Sequence, residues 1–204
     1  MNVIEVLGVV TGLWTVWLTV RQKVLCWPIG IVNILLFMVL FYQVKLYADL
    51  GLQVVFLVLS FYGWYYWVHP KKGEATVPVT TLSWRSGAGT AVTWGLGTIV
   101  MGAALATYTD ASVPYWDSST TVMSIIAQYL MSLKKLESWY LWIAADVVDT
   151  GIYLYKDLYL MSVLYAVFLV LATAGYIEWR KSWIATRKGS SSASSCPSTP
   201  GTST

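Results

Sequence analysis

Two carboxylates in the middle of an apolar run have the chemistry to bind a cation. Asp146 and Asp149 lie within the segment Glu137–Lys156. Together with Trp139 and Trp142 they occupy positions i, i+3, i+7 and i+10, which share one face of a helix. A carboxylate in hydrocarbon costs roughly 2.5–3.5 kcal/mol, so it should face protein, water or a ligand. Two indoles and two carboxylates on one face suit a flat, cationic, aromatic guest.

The composition is that of an integral membrane protein. The chain is 57% hydrophobic and 11% charged, whereas soluble domains have about 25% charged residues. A net charge of +3 is too small to indicate nucleic-acid binding. Cys26 and Cys196 imply no disulfide framework. The N-terminal apolar run lacks a preceding basic region and a small-residue cleavage site, so we interpret it as a retained helix and not a signal peptide.

Seven apolar segments approach the length of a membrane span, and the fifth is the most polar. They are Val3–Val20, Val24–Gln43, Asp49–Val68, Gly87–Thr107, Ser118–Leu133, Ser138–Tyr155 and Leu158–Trp179. The Ser-rich stretch from Gly189 to the end is predicted to be disordered. Several Trp residues near the span ends are expected to anchor the protein at the membrane surface. These are Trp64, Trp67, Trp179 and Trp183.

Lys and Arg are distributed unequally between the two sides. The connections after spans 1, 3 and 5, with the C-terminus, carry eleven of them, whereas the other side has only Lys45 and Lys156. The eleven are Arg21, Lys23, Lys71, Lys72, Arg85, Lys134, Lys135, Arg180, Lys181, Arg187 and Lys188. Because cytoplasmic loops are rich in Lys and Arg, the C-terminus is predicted inside and the N-terminus outside.

An internal repeat appears at a shift of 112 residues. The informative matches are Trp27 with Trp139, Gly63 with Gly175, Trp67 with Trp179 and Lys23 with Lys135. An odd linker helix gives both halves the same orientation, so we predict two parallel three-helix bundles. Their ranges are 1–68 and 118–188, with a cytoplasmic loop and linker helix at 69–117 and a tail at 189–204. Transporters built from such repeats commonly bind substrate near the midplane.

Polar side chains from both halves converge at that depth. Counted along the predicted helices, Asn33, Asp146 and Gln128 lie roughly 12–15 Å from the membrane surface. Gln53 extends this polar set on the third span. The amides have the alternative role of tying helices together. No Lys or Arg within any predicted span pairs with Asp146, so a binding role is favoured for it.

Two further acidic residues, Asp149 and Asp49, have competing interpretations. Asp149 either joins Asp146 in the site or lies at a wetter level of the membrane. Asp49, next to Lys45 at a helix start, is expected to cap the helix or to form a surface ion pair.

Four motifs together resemble the PnuC family of vitamin transporters. They are Trp27-Pro28-x-Gly30-x-x-Asn33, Leu46-Tyr47-Ala48-Asp49 with Gln53, Tyr62-Gly63-Trp64, and Trp139-x-x-Trp142-x-x-x-Asp146. The resemblance implies an all-helical fold of two three-helix bundles around a linker helix, similar in outline to the SWEET transporters. It also implies passage of nicotinamide riboside through a bacterial inner membrane, trapping by cytoplasmic phosphorylation, and a homo-oligomer, with a trimer suspected.

The resemblance also assigns roles to residues. Trp27 and Trp142 would flank the substrate, and Asn33 and Gln128 would hydrogen-bond to it. Some members carry Asn where this chain has Asp146, and a carboxylate suits a pyridinium cation better. Thiamine, which is also cationic, and riboflavin, which is neutral and larger, remain alternative substrates, with or without ion coupling.

Other protein classes are disfavoured. A retinal photoreceptor needs a Lys in its last span, and Leu158–Trp179 contains none. A phosphate-binding Gly-rich loop is missing, which excludes ATP hydrolysis. No buried His, Cys pair or nucleophile–base pair indicates an enzyme, and no cofactor or metal is expected.

Overall fold

The computed structural model describes residues 3–72, 74–108, 113–155, 157 and 159–193, and this part of the chain forms seven helices. They are α1 (Val3–Val20), α2 (Cys26–Gln43), α3 (Tyr47–Val68), α4 (Trp84–Tyr108), α5 (Pro114–Ser132), α6 (Ser138–Tyr155) and α7 (Tyr159–Ala193). Each predicted span coincides with one of these helices. The protein is therefore all-helical, as its composition predicts.

The helix boundaries differ most from the prediction in α5 and α7. Pro114 opens α5 at a position where its missing N–H is tolerated, so the helix starts before the predicted Ser118. At its other end α7 continues to Ala193, within the tail predicted from Gly189. The rest of that tail, with Lys156 and Leu158, lies outside the described residues.

Among the described residues, four helical segments are long and apolar enough to cross a membrane. They are Cys26–Gln43, Asp49–Val68, Trp84–Tyr108 and Met161–Lys188, and Val6–Val20 is a shorter apolar helix. Polar residues such as Asp117 and Asp146 lower the hydropathy of α5 and α6. Several spanning-length helices in one chain indicate a multi-pass membrane protein.

Six of the helices form a closed ring. Neighbours pack in the order α1, α2, α3, α5, α6, α7 and back to α1, and α4 packs only on α5 among the described helices. The connections α1–α2, α3–α4 and α5–α6 share one end of the ring with the end of α7. We call this the basic end because all eleven Lys and Arg noted above lie there. The other three connections lie at the opposite end.

A row of four tryptophans joins the two halves of the ring near the basic end. Ring centroids are 5.4 Å apart for Trp27 and Trp67, 5.9 Å for Trp67 and Trp179, and 5.4 Å for Trp179 and Trp139. None of the four is more than 5% exposed. The expectation that Trp67 and Trp179 anchor at the membrane surface is therefore wrong, since both lie in the protein core.

Two hydrogen bonds fix this tryptophan row across the halves. The indole N–H of Trp67 on α3 donates to the carbonyl of Ser132 on α5, at 3.2 Å. The indole N–H of Trp179 on α7 donates to the carbonyl of Thr19 on α1, at 3.0 Å. Each half thus donates to the first helix of the other.

Glycine provides the space for the outer two indoles of the row. A Cβ on Gly63 would overlap the six-membered ring of Trp27, and one on Gly175 would overlap that of Trp139 in the same way. Only a residue without a side chain lets these helices approach the indole faces so closely. Small residues at contacts between membrane helices serve the same purpose generally.

Four connections turn at a non-glycine residue in the left-handed region. The residues are Gln22, Lys45, Lys134 and Asp157, with φ between 54° and 60°. In three of the turns the amides close back on the last helical turn, for example Lys134 N–H to Met131 C=O and Lys135 N–H to Leu130 C=O. This pattern commonly ends helices at glycine, and in these turns a non-glycine residue takes that position.

A segment of the α3–α4 connection crosses the α5–α6 turn. We call residues 77–82 the strap. Its Thr80 N–H donates to the carbonyl of Lys134, and its Thr80 carbonyl accepts from Leu136 N–H, at 3.1 and 2.9 Å. Leu82 N–H donates to Oε1 of Glu137 at 2.9 Å. The strap therefore holds the start of α6 in place at the basic end.

Lys134 is buried beneath the strap. Only 3% of it is exposed, its Nζ donates to the Val77 carbonyl at 2.8 Å, and the same atom lies 4.6 Å from the centre of the Trp67 ring. Burial lowers the pKa of Lys134 from 10.5 to about 8.

Gly63→Ala should lower the stability of the detergent-solubilised protein by about 1–3 kcal/mol, because the new methyl group overpacks the Trp27 ring. Gly51→Ala in the same helix is the matched control, since a Cβ there meets nothing within 4 Å. Thermal melting of both variants provides the measurement. Equal melting temperatures for the two variants would contradict the packing role of Gly63.

Lys134→Met should remove a pH dependence of stability. Between pH 8 and 10.5 the unfolded chain holds more protons on Lys134 than the folded protein, so folded wild type gains stability as the pH rises through that window. The full difference is about 3 kcal/mol. The change in melting temperature from pH 7 to pH 10.5 should therefore be more favourable for wild type than for Lys134→Met. Lys135→Met should follow wild type, and a Lys134→Met profile parallel to wild type would refute the effect.

Candidate substrate-binding site

Asp146 is a buried carboxylate without a hydrogen-bond or ion-pair partner in the described part of the chain. It is 6% exposed on α6, about 12 Å along the helix from Ser138. Among the described residues none hydrogen-bonds to or forms an ion pair with its carboxylate, and only its backbone carbonyl is engaged, by the Thr150 hydroxyl at 2.6 Å. Leaving a buried carboxylate without partners is costly. The site therefore favours a cation or a hydrogen-bond donor at this position.

Three aromatic side chains of α6 and α7 lie in a group near this carboxylate. Tyr165 interacts electrostatically with both Asp146 and Asp149. Its ring lies 5.1 Å from that of Tyr153 and 6.1 Å from that of Phe168. Sequence reasoning missed these three residues, although Tyr165 and Phe168 share a face of α7. They form an aromatic wall next to the two carboxylates.

Asn33 is held by α1. Its Nδ2 donates to the carbonyl of Gly8 at 2.6 Å and to the hydroxyl of Thr11 at 3.0 Å. A Cβ on Gly12 would lie 3.4 Å from Nδ2 of Asn33 and 3.8 Å from Phe168. Asn33 therefore lies near the aromatic wall, with its amide hydrogens directed to α1 and its carbonyl oxygen left for another partner.

Gln128 links two helices of the ring. Its Nε2 donates to the hydroxyl of Ser60, which is 2% exposed, at 3.4 Å. Because α5 begins at Pro114, Gln128 lies about 21 Å along the helix and about 6 Å from its other end at Ser132. Asn33 and Asp146 lie about 10 and 12 Å from the basic ends of their helices. Gln128 is thus nearer the basic end than predicted.

The remaining predicted residues lie around this centre. Gln53 and Trp142 are partly buried, and Gln53 makes no hydrogen bond to another described side chain. Trp142 packs against the cluster that contains the tryptophan row. Asp149 is close enough to Asp146 to interact with it electrostatically. The structure thus brings Asp146, Asp149 and the aromatic wall together.

Trp27 and Trp139 belong to the tryptophan row, where their rings pack on glycine and on a neighbouring indole. Both leave a buried Nε1–H without a hydrogen-bond partner among the described residues. A buried donor left unpaired costs about 1–3 kcal/mol, so each offers a site for water or for a substrate acceptor. Their predicted place in the substrate site, and the flanking of the substrate by Trp27 and Trp142, stay predictions.

Two surface crevices lie elsewhere. One, of about 260 Å³, is bordered by α4, α5 and α6, and the other, of about 400 Å³, by the strap and the end of α7. Neither contains any of the eight predicted site residues. Within the described part of the chain no group of His, Cys, Asp and Glu is arranged to hold a metal ion.

A ring of helices that includes apolar segments of membrane-spanning length, with one buried carboxylate, defines a multi-pass membrane protein. Comparison with known proteins gives the family. A family profile described as nicotinamide mononucleotide transporter matches residues 2–181. The chain belongs to this family, and it is therefore a transporter and not an enzyme.

Individual relatives agree with this assignment. The nicotinamide riboside transporter PnuC of Escherichia coli (strain K12) is 31% identical over 203 residues, covering 86% of this chain and 84% of the relative. The riboflavin/roseoflavin transporter RibM of Streptomyces davaonensis is 24% identical, covering 91% and 87%. A crystal structure of the vitamin B3 transporter PnuC superimposes with a TM-score of 0.73 at 25% identity, covering 89% and 82%. The PnuC resemblance seen in the motifs is confirmed.

Proposed function

We propose that this protein transports nicotinamide riboside across the membrane by facilitated diffusion. The observation that carries the proposal is the buried carboxylate of Asp146, which lacks a cationic protein partner among the described residues. Nicotinamide riboside has a flat pyridinium ring with a fixed positive charge. Such a cation provides the missing partner, and the ring matches the aromatic wall.

The charge of the site favours the riboside over the mononucleotide named in the family description. The mononucleotide carries a phosphate, which would meet two carboxylates, Asp146 and Asp149. Phosphate sites normally use Arg, Lys or a helix N-terminus. The helices near Asp146 supply no Lys or Arg at its depth.

We also propose the predicted 3+1+3 architecture for this transporter. Contacts 112 residues apart support it: Trp27 on Gly63 matches Trp139 on Gly175, and the two edge-on indole pairs have interplanar angles of 86° and 88°. The left-handed turns at Gln22 and Lys134 are also 112 residues apart. In this arrangement α1–α3 and α5–α7 are parallel bundles, and α4 is the linker.

The basic end is proposed to be cytoplasmic. Eleven Lys and Arg lie at that end, in agreement with the distribution of basic residues in cytoplasmic loops. All seven helices then cross a bacterial inner membrane, with the N-terminus outside. The suspected trimer stays a prediction.

Transport is proposed to proceed by alternating access, with phosphorylation of the riboside inside the cell preventing its return. A site between two bundles is suited to this, because rocking of one bundle against the other exposes it to each side in turn. No ATP-binding loop is present in the sequence, so ATP hydrolysis by this chain does not drive transport. The proposed facilitator uses the gradient of the substrate itself.

Thiamine is the second candidate. It is also cationic, so Asp146 suits it equally well, whereas riboflavin is neutral and gains nothing from the carboxylate. A binding titration of the purified protein against nicotinamide riboside, thiamine and riboflavin ranks the three. We expect nicotinamide riboside to bind most tightly, and tighter binding of either competitor would replace it as the substrate.

Asp146→Asn should weaken binding of nicotinamide riboside about tenfold or more, because the amide keeps the shape of the carboxylate but loses its charge. Isothermal titration calorimetry on the purified variant measures this. The reduced, uncharged form of nicotinamide riboside is the matched ligand, and its affinity should change little. Unchanged affinity for the cation would remove Asp146 from the site.

Proteoliposomes that contain the protein and no kinase should equilibrate labelled nicotinamide riboside without concentrating it. The physical reason is that a facilitator cannot move its substrate uphill without a second energy source. Accumulation above the external concentration under an imposed proton or sodium gradient would show ion coupling and overturn the facilitator mechanism.

A further inference from the structure

Carboxylates continue from Asp146 to the end of the ring opposite the basic end. Asp149 lies about 9 Å and Asp146 about 14 Å from Tyr155, where α6 ends. At the same end, Asp49 is about 3 Å into α3 and Asp117 about 4 Å into α5. The three helices are consecutive in the ring, since α5 packs on both α3 and α6.

Electrostatic interactions connect these carboxylates through one tyrosine. Asp49 and Asp117 are close enough to interact with each other. Tyr153 interacts with Asp49, Asp117 and Asp149, and Asp149 in turn interacts with Asp146. The four acidic groups therefore form one continuous set, with the Tyr153 ring beside it.

The expected structural roles of Asp49 are not those that the structure shows. The N-cap position of α3 is Leu46, without a side-chain cap, and the Asp49 carboxylate accepts a hydrogen bond only from its own backbone N–H. Lys45 is exposed, and no ion pair between it and Asp49 is present in the described residues. Asp49 instead interacts electrostatically with Asp117.

Asp146 is the innermost member of this set of carboxylates. Only 6% of Asp146 is exposed, and none of the described residues carries a positive charge that neutralises its carboxylate. A cation bound there must cross the outer part of the ring, and the only described Lys at that end is Lys45. Asp49, Asp117 and Asp149, at about 3, 4 and 9 Å from the ends of their helices, offer successive positions of negative charge along that path.

We propose that Asp49, Asp117 and Asp149 form an outer vestibule that holds the positively charged ring of the substrate before it reaches Asp146. This inference rests on the proposed function and adds a second, external contact to it. Clefts of one charge sign with low-dielectric walls raise association rates of oppositely charged ligands by 10- to 1,000-fold. The Debye length is about 8 Å at physiological salt, so the effect should weaken as salt is added.

The test compares Asp49→Asn/Asp117→Asn with wild type in proteoliposomes. At low ionic strength, kcat/KM for uptake of labelled nicotinamide riboside should fall roughly 3- to 10-fold in the double variant. The difference should shrink at 0.5 M salt, because the Debye length there is only about 4 Å and the surface charges are screened. Uptake of the reduced, uncharged riboside should not change at either salt concentration.

Two control variants separate charge from folding. Asp157→Asn removes a carboxylate at the same end, at a left-handed residue that Asn tolerates, and should behave as wild type. Asp49→Glu/Asp117→Glu keeps both charges and should retain cation uptake. The vestibule is refuted if the double Glu variant loses as much uptake as the double Asn variant. It is also refuted if the double Asn variant slows the charged and the reduced riboside equally, or if Asp157→Asn lowers cation uptake as much as the double Asn variant does.

Failure of the proposed function gives a different result. If wild type does not take up nicotinamide riboside at all, that function falls, and the vestibule is tested with 1-methylnicotinamide, a small pyridinium cation. Its binding, followed by quenching of tryptophan fluorescence, should be several-fold weaker in the double Asn variant. Equal binding to wild type and the double variant would then refute the vestibule as well.

Discussion

The tryptophan row is the contact on which the rest of the ring depends. Lipid is as apolar as a helix surface, so membrane helices gain little from hydrophobic burial and associate through close packing and hydrogen bonds. The row supplies both. Its indoles pack on Gly63 and Gly175, and two of them donate across the boundary between the halves, to Ser132 and Thr19. The strap and buried Lys134 add a polar layer at the same end.

The tryptophan row and the polar residues occupy different parts of α6. Trp139 packs in the row and Asp146 lies seven residues further along, about 10 Å away on the same helix face. The basic end is consequently dense and tied by hydrogen bonds, whereas the opposite half holds carboxylates and tyrosines. Membrane proteins retain such costly ionisable groups where substrates pass. The fold thus places the tightest helix packing and the proposed binding site at different depths of one bundle.

The sequence was sufficient to predict the helices and the central carboxylate, for a simple reason. Long apolar runs predict helices in a membrane, and Asp146 stands out because charge is rare there. Trp67 and Trp179 were misplaced because the enrichment of tryptophan at membrane surfaces does not show which way an indole points. Tyr153, Tyr165 and Phe168 were missed because aromatic residues are too common in this chain to carry a signal. The non-glycine turns and the strap have no local pattern that marks them.

The crossed indole hydrogen bonds have a consequence for how the chain is made. The acceptor for Trp67 lies 65 residues later in the sequence, and Trp179 completes a bond to Thr19 across 160 residues. During synthesis Thr19 on α1 must therefore wait for the last helix to be inserted, and Trp67 on α3 must wait for α5. Assembly of the ring is in this respect a single late event, and a chain truncated before Trp179 would leave both halves open.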